Sequence, residues 1–95
     1  MANRLLVLYI KENGLPINRL GISVSRKVGK AVIRNRIKRL IKEQIRLHEG
    51  EICQGYDLVI VVRAAAAALP KDTAFKQIGE SLLNLVDRHK IRGVS

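Results

Sequence analysis

The chain has 95 residues, which suits a single domain over residues 1–95, and 47% of them are apolar, too many for a disordered chain. Its 18 Lys and Arg outnumber its 8 Asp and Glu, and this formal charge of +10 points to a polyanion, most often nucleic acid. No apolar run approaches the ~20 residues of a membrane span, and the first residues lack the order of a signal peptide.

The first half of the chain predicts two strands and a helix. Residues 5–10 form an unbroken apolar run, which indicates a strand covered on both faces, and the Asn, Gly and Pro residues of 11–19 predict a loop. Residues 20–25 alternate apolar with small polar side chains and predict a second strand. From Lys30 to His48 the apolar residues recur at three- and four-residue steps, which predicts an amphipathic helix. Its apolar stripe consists of Ile33, Ile37, Leu40, Ile41 and Ile45.

The second half predicts a buried strand over 58–62 and a helix over 72–89. The alanine run between them, 64–68, fits a helix or a connection, since alanine favours helix but the run lies between a strand and Pro70. Residues 91–95 are expected to fray. Two helices on one small mixed sheet, an α/β (α+β) two-layer sandwich, is the economical arrangement of these elements. The apolar stripe of the second helix consists of Phe75, Ile78, Leu82, Leu85 and Val86.

The helix over 30–48 concentrates positive charge. Four basic residues at four-residue steps form a ridge along it: Arg34, Lys38, Lys42 and Arg46. Arg39 lies beside this ridge, and Arg36 lies at the other border of the apolar stripe. Like charges at this spacing cost a helix about a few tenths of a kcal/mol per pair. We infer that phosphates compensate that cost, because each neutralised phosphate releases counterions. A merely solvated face would mix signs, and a membrane-surface helix would favour Trp or Phe anchors, which this stripe lacks.

The segment 25–30 leads into this helix. Lys27 and Lys30 add charge where the free backbone N–H groups of a helix start can bind a phosphate. The segment lacks the glycine spacing of a nucleotide-binding loop, so an ordinary turn between strand and helix explains it as well.

The segment KAVIRNRIKRLIKE, residues 30–43, resembles the signature of the bacterial ribonuclease P protein family, an Arg-Asn-Arg triplet followed by a Lys-Arg pair. The segments ANRLLVLYI, GISVSRKVG and YDLVIVVR also look like strands of that family, so the resemblance covers nearly the whole chain. It implies a compact α/β sandwich with a left-handed crossover between parallel strands. Periodicity alone would predict the common right-handed crossover.

The resemblance also implies a function in tRNA processing. In the family, a large RNA subunit uses Mg²⁺ to remove the 5′ leader of precursor tRNA. The protein docks on that RNA and holds the leader in a cleft between the basic helix and the sheet. It is expected to bind no cofactor or metal itself and to be monomeric without RNA. Family members usually carry a further segment before the first strand, which adds aromatic cleft residues. This chain is expected to lack that segment, to leave one side of the cleft bare and to bind the leader more weakly.

Site residues are carried over only to matching positions. The expected RNA-binding residues are Lys27, Lys30, Arg34, Asn35, Arg36, Lys38, Arg39, Lys42 and Arg46. The expected leader cleft consists of Tyr9, Val7, Lys27 and Arg63. From the residues alone, Tyr9 would be assigned to the core with its hydroxyl at the edge, and only the resemblance reverses that assignment.

No pattern in the sequence indicates a catalytic or metal site. His48 and His89 fall at the ends of the two predicted helices, where the helix dipole favours histidine, and Glu43 is expected to form an ion pair within the basic helix. A lone cysteine, Cys53, gives no zinc spacing and indicates a reducing cytoplasm. Intrinsic catalysis is therefore not expected, and a structural RNA-binding protein, such as a ribosomal component of similar fold, is the alternative.

Overall fold

The computed structural model describes residues 1–93. Its strands and helices are β1 (Leu6–Glu12), β2 (Arg19–Ser23), α1 (Ala31–Leu47), β3 (Tyr56–Val62) and α2 (Lys71–Arg88). Short 3₁₀ turns follow α1 at Glu49–Glu51 and β3 at Ala64–Ala68, so the alanine run is a connection with one helical turn. Both helices begin and end within one residue of the predicted bounds. The loop after β1 is shorter than predicted, because β1 extends to Glu12 and β2 begins at Arg19.

The three strands form one mixed sheet in the order β1-β3-β2. The central strand β3 pairs antiparallel with β1 and parallel with β2. Because parallel neighbours need a crossover, α1 connects β2 to β3, and α2 then packs against α1 and β1. The predicted mixed sheet with two helices is confirmed, while the left-handed course of the crossover stays a prediction.

Both helices cover the same face of the sheet. On that face Leu6, Leu8 and Ile60 are at most 1% exposed, and they join the helices in one hydrophobic core. The opposite face is open: Tyr9 is 58% and Val59 42% exposed. The prediction that the first strand is covered on both faces was therefore wrong, and so was the buried assignment of the whole third strand. Alternation along each strand sends every second residue away from the helices.

The two helices approach closely where Gln44 meets Gly79. Gln44 is a buried polar residue of α1, and its Nε2 donates a hydrogen bond of 2.9 Å to the carbonyl oxygen of Phe75 in α2. A Cβ atom on Gly79 would lie 2.5 Å from Cδ of Gln44, so a larger residue there would push the helices apart or displace the hydrogen-bonded amide. This crossing holds the inner side of α1 towards α2 and turns its basic side outward.

The segment after α2 folds back onto the core. Ile91 is 2% exposed, and its carbonyl oxygen accepts a 2.6 Å hydrogen bond from the backbone N–H of Cys53. Arg92 forms an isolated antiparallel β-bridge with Ile52. The expectation that residues 91–95 fray was therefore wrong for 91–93, because Ile91 fills a place in the core. Residues 94 and 95 lie outside the described part of the chain.

Candidate nucleic-acid interface

The buried side chains of α1 determine which of its residues face outward. Ile37 and Ile41 are at most 1% exposed, so the helix cannot rotate without losing this burial. The residues that were expected to bind RNA and that lie exposed are Lys27, Lys30, Asn35, Arg39, Lys42 and Arg46. Three others, Arg34, Arg36 and Lys38, are half-buried at the borders of the apolar stripe.

The two arginines of the Arg-Asn-Arg triplet lie on opposite borders of that stripe. The Nε atoms of Arg34 and Arg36 are buried, and within residues 1–93 neither has a hydrogen-bond partner. Their aliphatic stems therefore lie against the protein, as long cationic side chains often do at an apolar border. Truncating either side chain should therefore remove packing as well as charge.

No basic side chain of α1 forms an ion pair within the described residues. The ion pairs in residues 1–93 lie elsewhere: Arg19–Asp57, His48–Glu51, Lys76–Glu80, Arg92–Glu51 and Arg92–Asp87. The expectation that Glu43 forms an ion pair within the helix was wrong, since it pairs with none of the neighbouring basic residues. The positive charge of α1 is therefore left for a partner from outside the described chain.

The start of α1 departs from the usual pattern of helix caps. Lys30 occupies the N-cap with extended backbone angles, no side chain in the described chain caps the helix, and its first turn contains no acid. The turn that precedes it is anchored by Val28, which is 5% exposed and whose N–H donates to the Ser25 carbonyl at 3.1 Å. Lys27 and Lys30 thus stand at the surface on a turn that the core holds in place.

The open face of the sheet forms a second surface. Because both helices cover the opposite face, the expected cleft between the basic helix and the sheet is not formed by residues 1–93 on the side that carries Tyr9. Strand register places Tyr9, Val59 and Gly21 side by side across the three strands. Because Gly21 has no side chain, Val59 stays exposed between an aromatic ring and a bare stretch of backbone. The row is a shallow apolar floor with one accessible tyrosine ring, a suitable surface for a flat, partly apolar group.

Charged side chains lie at one end of this floor. Lys11, Asp57 and Arg19 form the last row, in which Arg19 donates two hydrogen bonds, of 2.7 and 2.8 Å, to the Asp57 carboxylate. The hydrogen bonds from Arg19 and Asn13 hold the pKa of Asp57 below its ordinary value. Arg19 is therefore engaged within the protein, and Lys11 is the cation of this row without an ion pair in the described chain.

The other end of the floor includes Val7 and leads to Arg63, two of the expected cleft residues. Val7 lies beside Val61 in the next row, and Arg63 follows two residues later, just past the end of β3. Arg63 is exposed, and its Nη1 donates to the carbonyl of Asn3 at 3.0 Å. The strand β2 ends at this same end of the sheet, since its last residue pairs with Val61, and Lys27 follows four residues later in the turn that leads to α1.

Sequence reasoning missed Val59, Gly21 and Lys11. The all-apolar run of β3 hides which of its residues face outward, because a strand covered on both faces has the same composition. The informative signal was the alternation of β2, where Gly21 and Ser23 flank Ile22. Alternation of apolar with small or polar residues is typical of a strand that has one solvated face.

The part of the chain that the structure describes contains neither a cluster of metal ligands nor a membrane-spanning helix. Across residues 1–93, no three His, Cys, Asp or Glu side chains are grouped so as to hold a metal ion. Within the same range, neither helix is long and apolar enough to cross a membrane.

A basic helix without acidic partners and an open sheet face with an accessible aromatic ring define a nucleic-acid-binding domain. The family model described as Ribonuclease P matches residues 1–90. The chain belongs to the ribonuclease P protein family. Membership gives it the role of a ribonuclease P protein subunit, in partnership with ribonuclease P RNA, and implies that it binds RNA.

Individual relatives agree with this assignment. A ribonuclease P protein component of Clostridium botulinum (strain Langeland) is 53% identical over 88 residues, which cover 92% of this chain and 76% of the relative. The Staphylococcus aureus RNase P protein structure superposes with a TM-score of 0.85 at 36% identity, covering 98% of this chain and 82% of that one. A structure of a Staphylococcus aureus RNase P protein mutant with defective mRNA degradation activity has a TM-score of 0.84 at 38% identity, covering 96% of this chain and 74% of that one.

Proposed function

We propose that this protein binds ribonuclease P RNA through the outer side of α1 and holds the 5′ leader of precursor tRNA on the open face of the sheet. The RNA subunit, with its Mg²⁺ ions, then removes the leader in the cytoplasm. The observation that carries the proposal is the charge of α1, which has six basic residues and one acid and no ion pair among the described residues.

The RNA contacts are assigned by position on α1 and on the turn before it. Exposed cations in a row suit successive phosphates of a folded RNA, because each contact releases counterions. Arg34 and Arg36 present guanidinium groups from the two borders of the stripe, so they can reach two different RNA segments. The residues proposed to contact ribonuclease P RNA are Lys27, Lys30, Arg34, Asn35, Arg36, Lys38, Arg39, Lys42 and Arg46.

The leader is assigned to the open face of the sheet. Tyr9 can stack on a leader base there, and stacking accepts any base, which suits a protein that must accept many leader sequences. Val7 extends the apolar floor, while Lys27 and Arg63 provide positive charge for the leader phosphates at one end. An extended strand of RNA would then cross a floor of apolar side chains between charged rows.

Catalysis is assigned to the RNA subunit. The lowered carboxyl pKa values among the described residues are those of Asp57 and Glu51, whose largest causes are hydrogen bonds from Arg19 and His48 respectively. Groups engaged in such pairs lack the raised pKa that a general acid needs at neutral pH. The protein is proposed to act by binding and positioning, as a monomer until it meets its RNA.

The deciding experiment measures cleavage of precursor tRNA by ribonuclease P RNA at low Mg²⁺, with and without the protein. The protein should restore cleavage, and a Lys42→Ala, Arg46→Ala variant should restore less. Protein alone should cut neither precursor tRNA nor mRNA, a control made necessary by the activity ascribed to the Staphylococcus aureus protein. Normal RNA binding without any stimulation would favour the structural RNA-binding alternative. Cleavage by the protein alone would contradict the assignment of catalysis to RNA.

Salt dependence tests the phosphate contacts separately. The logarithm of the affinity for ribonuclease P RNA should fall linearly with the logarithm of the salt concentration, by about 0.7–0.9 for each phosphate contacted. A nearly flat dependence would mean that the charge of α1 does not face phosphates.

A further inference from the structure

Val32, in the first turn of α1, is the most exposed large apolar side chain of the described residues, at 80%. It faces away from the core, so it buries little apolar surface and contributes little to the stability of the fold. A β-branched residue also favours helix less than alanine does. Neither packing nor helix propensity explains a valine at the outer side of this basic helix.

The residues around Val32 form a shallow concavity of about 310 Å³. Asn35 and Arg36, three and four residues further along, and Arg39, one turn beyond, line it together with Val32. The next depression along the helix, of about 160 Å³, has a different lining of Arg39, Lys42, Glu43 and Arg46. One outer surface therefore contains two neighbouring depressions, and the one at the start of α1 is lined by both an apolar side chain and an amide.

We propose that the concavity at Val32 binds an unpaired nucleobase of ribonuclease P RNA. This inference rests on the proposed function, in which the outer side of α1 faces that RNA. A phosphate site needs charge alone, whereas a base offers an apolar face and a hydrogen-bonding edge. Val32 provides apolar contact, the Asn35 amide can both donate and accept, and the planar guanidinium of Arg36 or Arg39 can stack on a ring.

An unpaired base fits the site better than a base within a duplex. The deep, narrow major groove of A-form RNA excludes side chains, and proteins read RNA sequence mostly at loops, bulges and ends. A concavity on the outer side of a helix can receive a base that projects from such a region. Flanking cations would then hold the adjoining phosphates, so that α1 reads one base within a surface that otherwise recognises charge.

The first test compares Val32→Ala and Val32→Ser with Lys42→Ala in binding to ribonuclease P RNA over a range of salt concentrations. The Val32 variants should weaken binding by roughly five- to tenfold at every salt concentration, the low end of what base contacts are worth, without changing the slope. Lys42→Ala should instead reduce the slope by about 0.7–0.9. Alanine favours helix more than valine does, so Val32→Ala should keep the fold, which circular dichroism checks.

The second test locates the base by probing the RNA with dimethyl sulfate, which modifies unpaired A and C, and with a carbodiimide, which modifies unpaired U and G. At least one unpaired nucleotide should be protected by the wild-type protein and by Lys42→Ala, and should become reactive with both Val32 variants at saturating protein. Unchanged affinity or unchanged protection with the Val32 variants would overturn the base-binding site. If those variants bind normally while Lys42→Ala weakens binding, the proposed function stands and only this inference fails. If even the wild-type protein fails to bind this RNA, the proposed function fails first.

Discussion

The helices α1 and α2 have 17 and 18 residues, contribute to the same core and pack against each other, yet their outer sides differ completely. In α1, six basic residues stand against one acid, whereas α2 has three of each. In α2 the signs are also arranged favourably: Asp72 lies in the first turn, Arg88 in the last, and Lys76 is 4.0 Å from Glu80 one turn away.

The fold determines only the inner side of each helix. Both inner sides must be apolar, since each helix covers the same face of the sheet. The outer side of α2 has a charge pattern that stabilises the helix itself. That of α1 has a pattern that strains the helix by repulsion, and such a pattern makes sense only with an anionic partner.

The largest effect is expected where the two helices are alike. Ile41→Ala in α1 and Leu82→Ala in α2 should each lower the free energy of unfolding by about 2–5 kcal/mol, because both side chains are fully buried and truncation leaves a cavity. Urea denaturation measures this. A loss below about 1 kcal/mol in only one helix would show that the two inner sides are not equivalent.

The two faces of the sheet differ as the two sides of α1 do: one packs on the core and the other is open to a partner. Tyr9→Ala should weaken binding of precursor tRNA to the reconstituted holoenzyme by about 1–3 kcal/mol, and binding of mature tRNA should not change, because only the precursor has a leader base to stack. Leu8→Ala, on the covered face, should instead destabilise the fold. Equal loss for both tRNA species with Tyr9→Ala would place the leader elsewhere.

Removing two positive charges from the outer side of either helix distinguishes the RNA-binding role of the two surfaces. Lys42→Ala with Arg46→Ala in α1 should weaken RNA binding on the order of tenfold near 0.1 M salt and reduce the salt slope by about 1.5, as expected for two lost phosphate contacts. Lys71→Ala with Lys76→Ala in α2 removes the same charge from another exposed surface and should change neither quantity. Equal effects from the two pairs would show that the protein attracts RNA only through its net charge.

The C-terminal ends of α1 and α2 differ in backbone conformation. Lys90, just after α2, has a φ of 59°, a left-handed conformation that costs a residue with a Cβ free energy, whereas α1 ends at His48 with a φ of −107°. Lys90→Gly should therefore stabilise the protein by about 0.5–1 kcal/mol in thermal or urea unfolding. Lys90→Ala serves as the control and should give no such gain. Destabilisation by glycine would show that the lysine side chain contributes a contact.

The smallest effect concerns the acid that links the end of α1 to the segment after α2. Hydrogen bonds from His48 and Arg92 hold the pKa of Glu51 below its ordinary value. A lowered carboxyl pKa stabilises the fold above the ordinary glutamate pKa, and this contribution is lost as the pH falls through the lowered value. The difference in melting temperature between the wild type and Glu51→Gln should therefore shrink in acid. A difference independent of pH would mean that the carboxylate charge contributes nothing.

The sequence allowed the two helices to be predicted to within one residue because each buries a stripe that repeats every three or four residues. It also predicted the mixed sheet and, through the Arg-Asn-Arg triplet, the family. The accessibility of the open face was harder to predict, since the β3 run from Leu58 to Val62 is apolar at every position. The roles of Tyr9, Arg63 and the α1 residues in binding remain predictions.

Positive charge on one side of α1 and an apolar stripe on the other could be predicted, because periodicity and charge are local properties of the chain. The fold was needed to show that Val59 stays accessible beside Tyr9, that Glu43 leaves its basic neighbours unpaired and that Ile91 belongs to the core. Those outcomes depend on which face of the sheet both helices cover and on which side chains come within reach across the fold. Contacts between residues distant in the sequence decide such matters, and no pattern within a single element contains them.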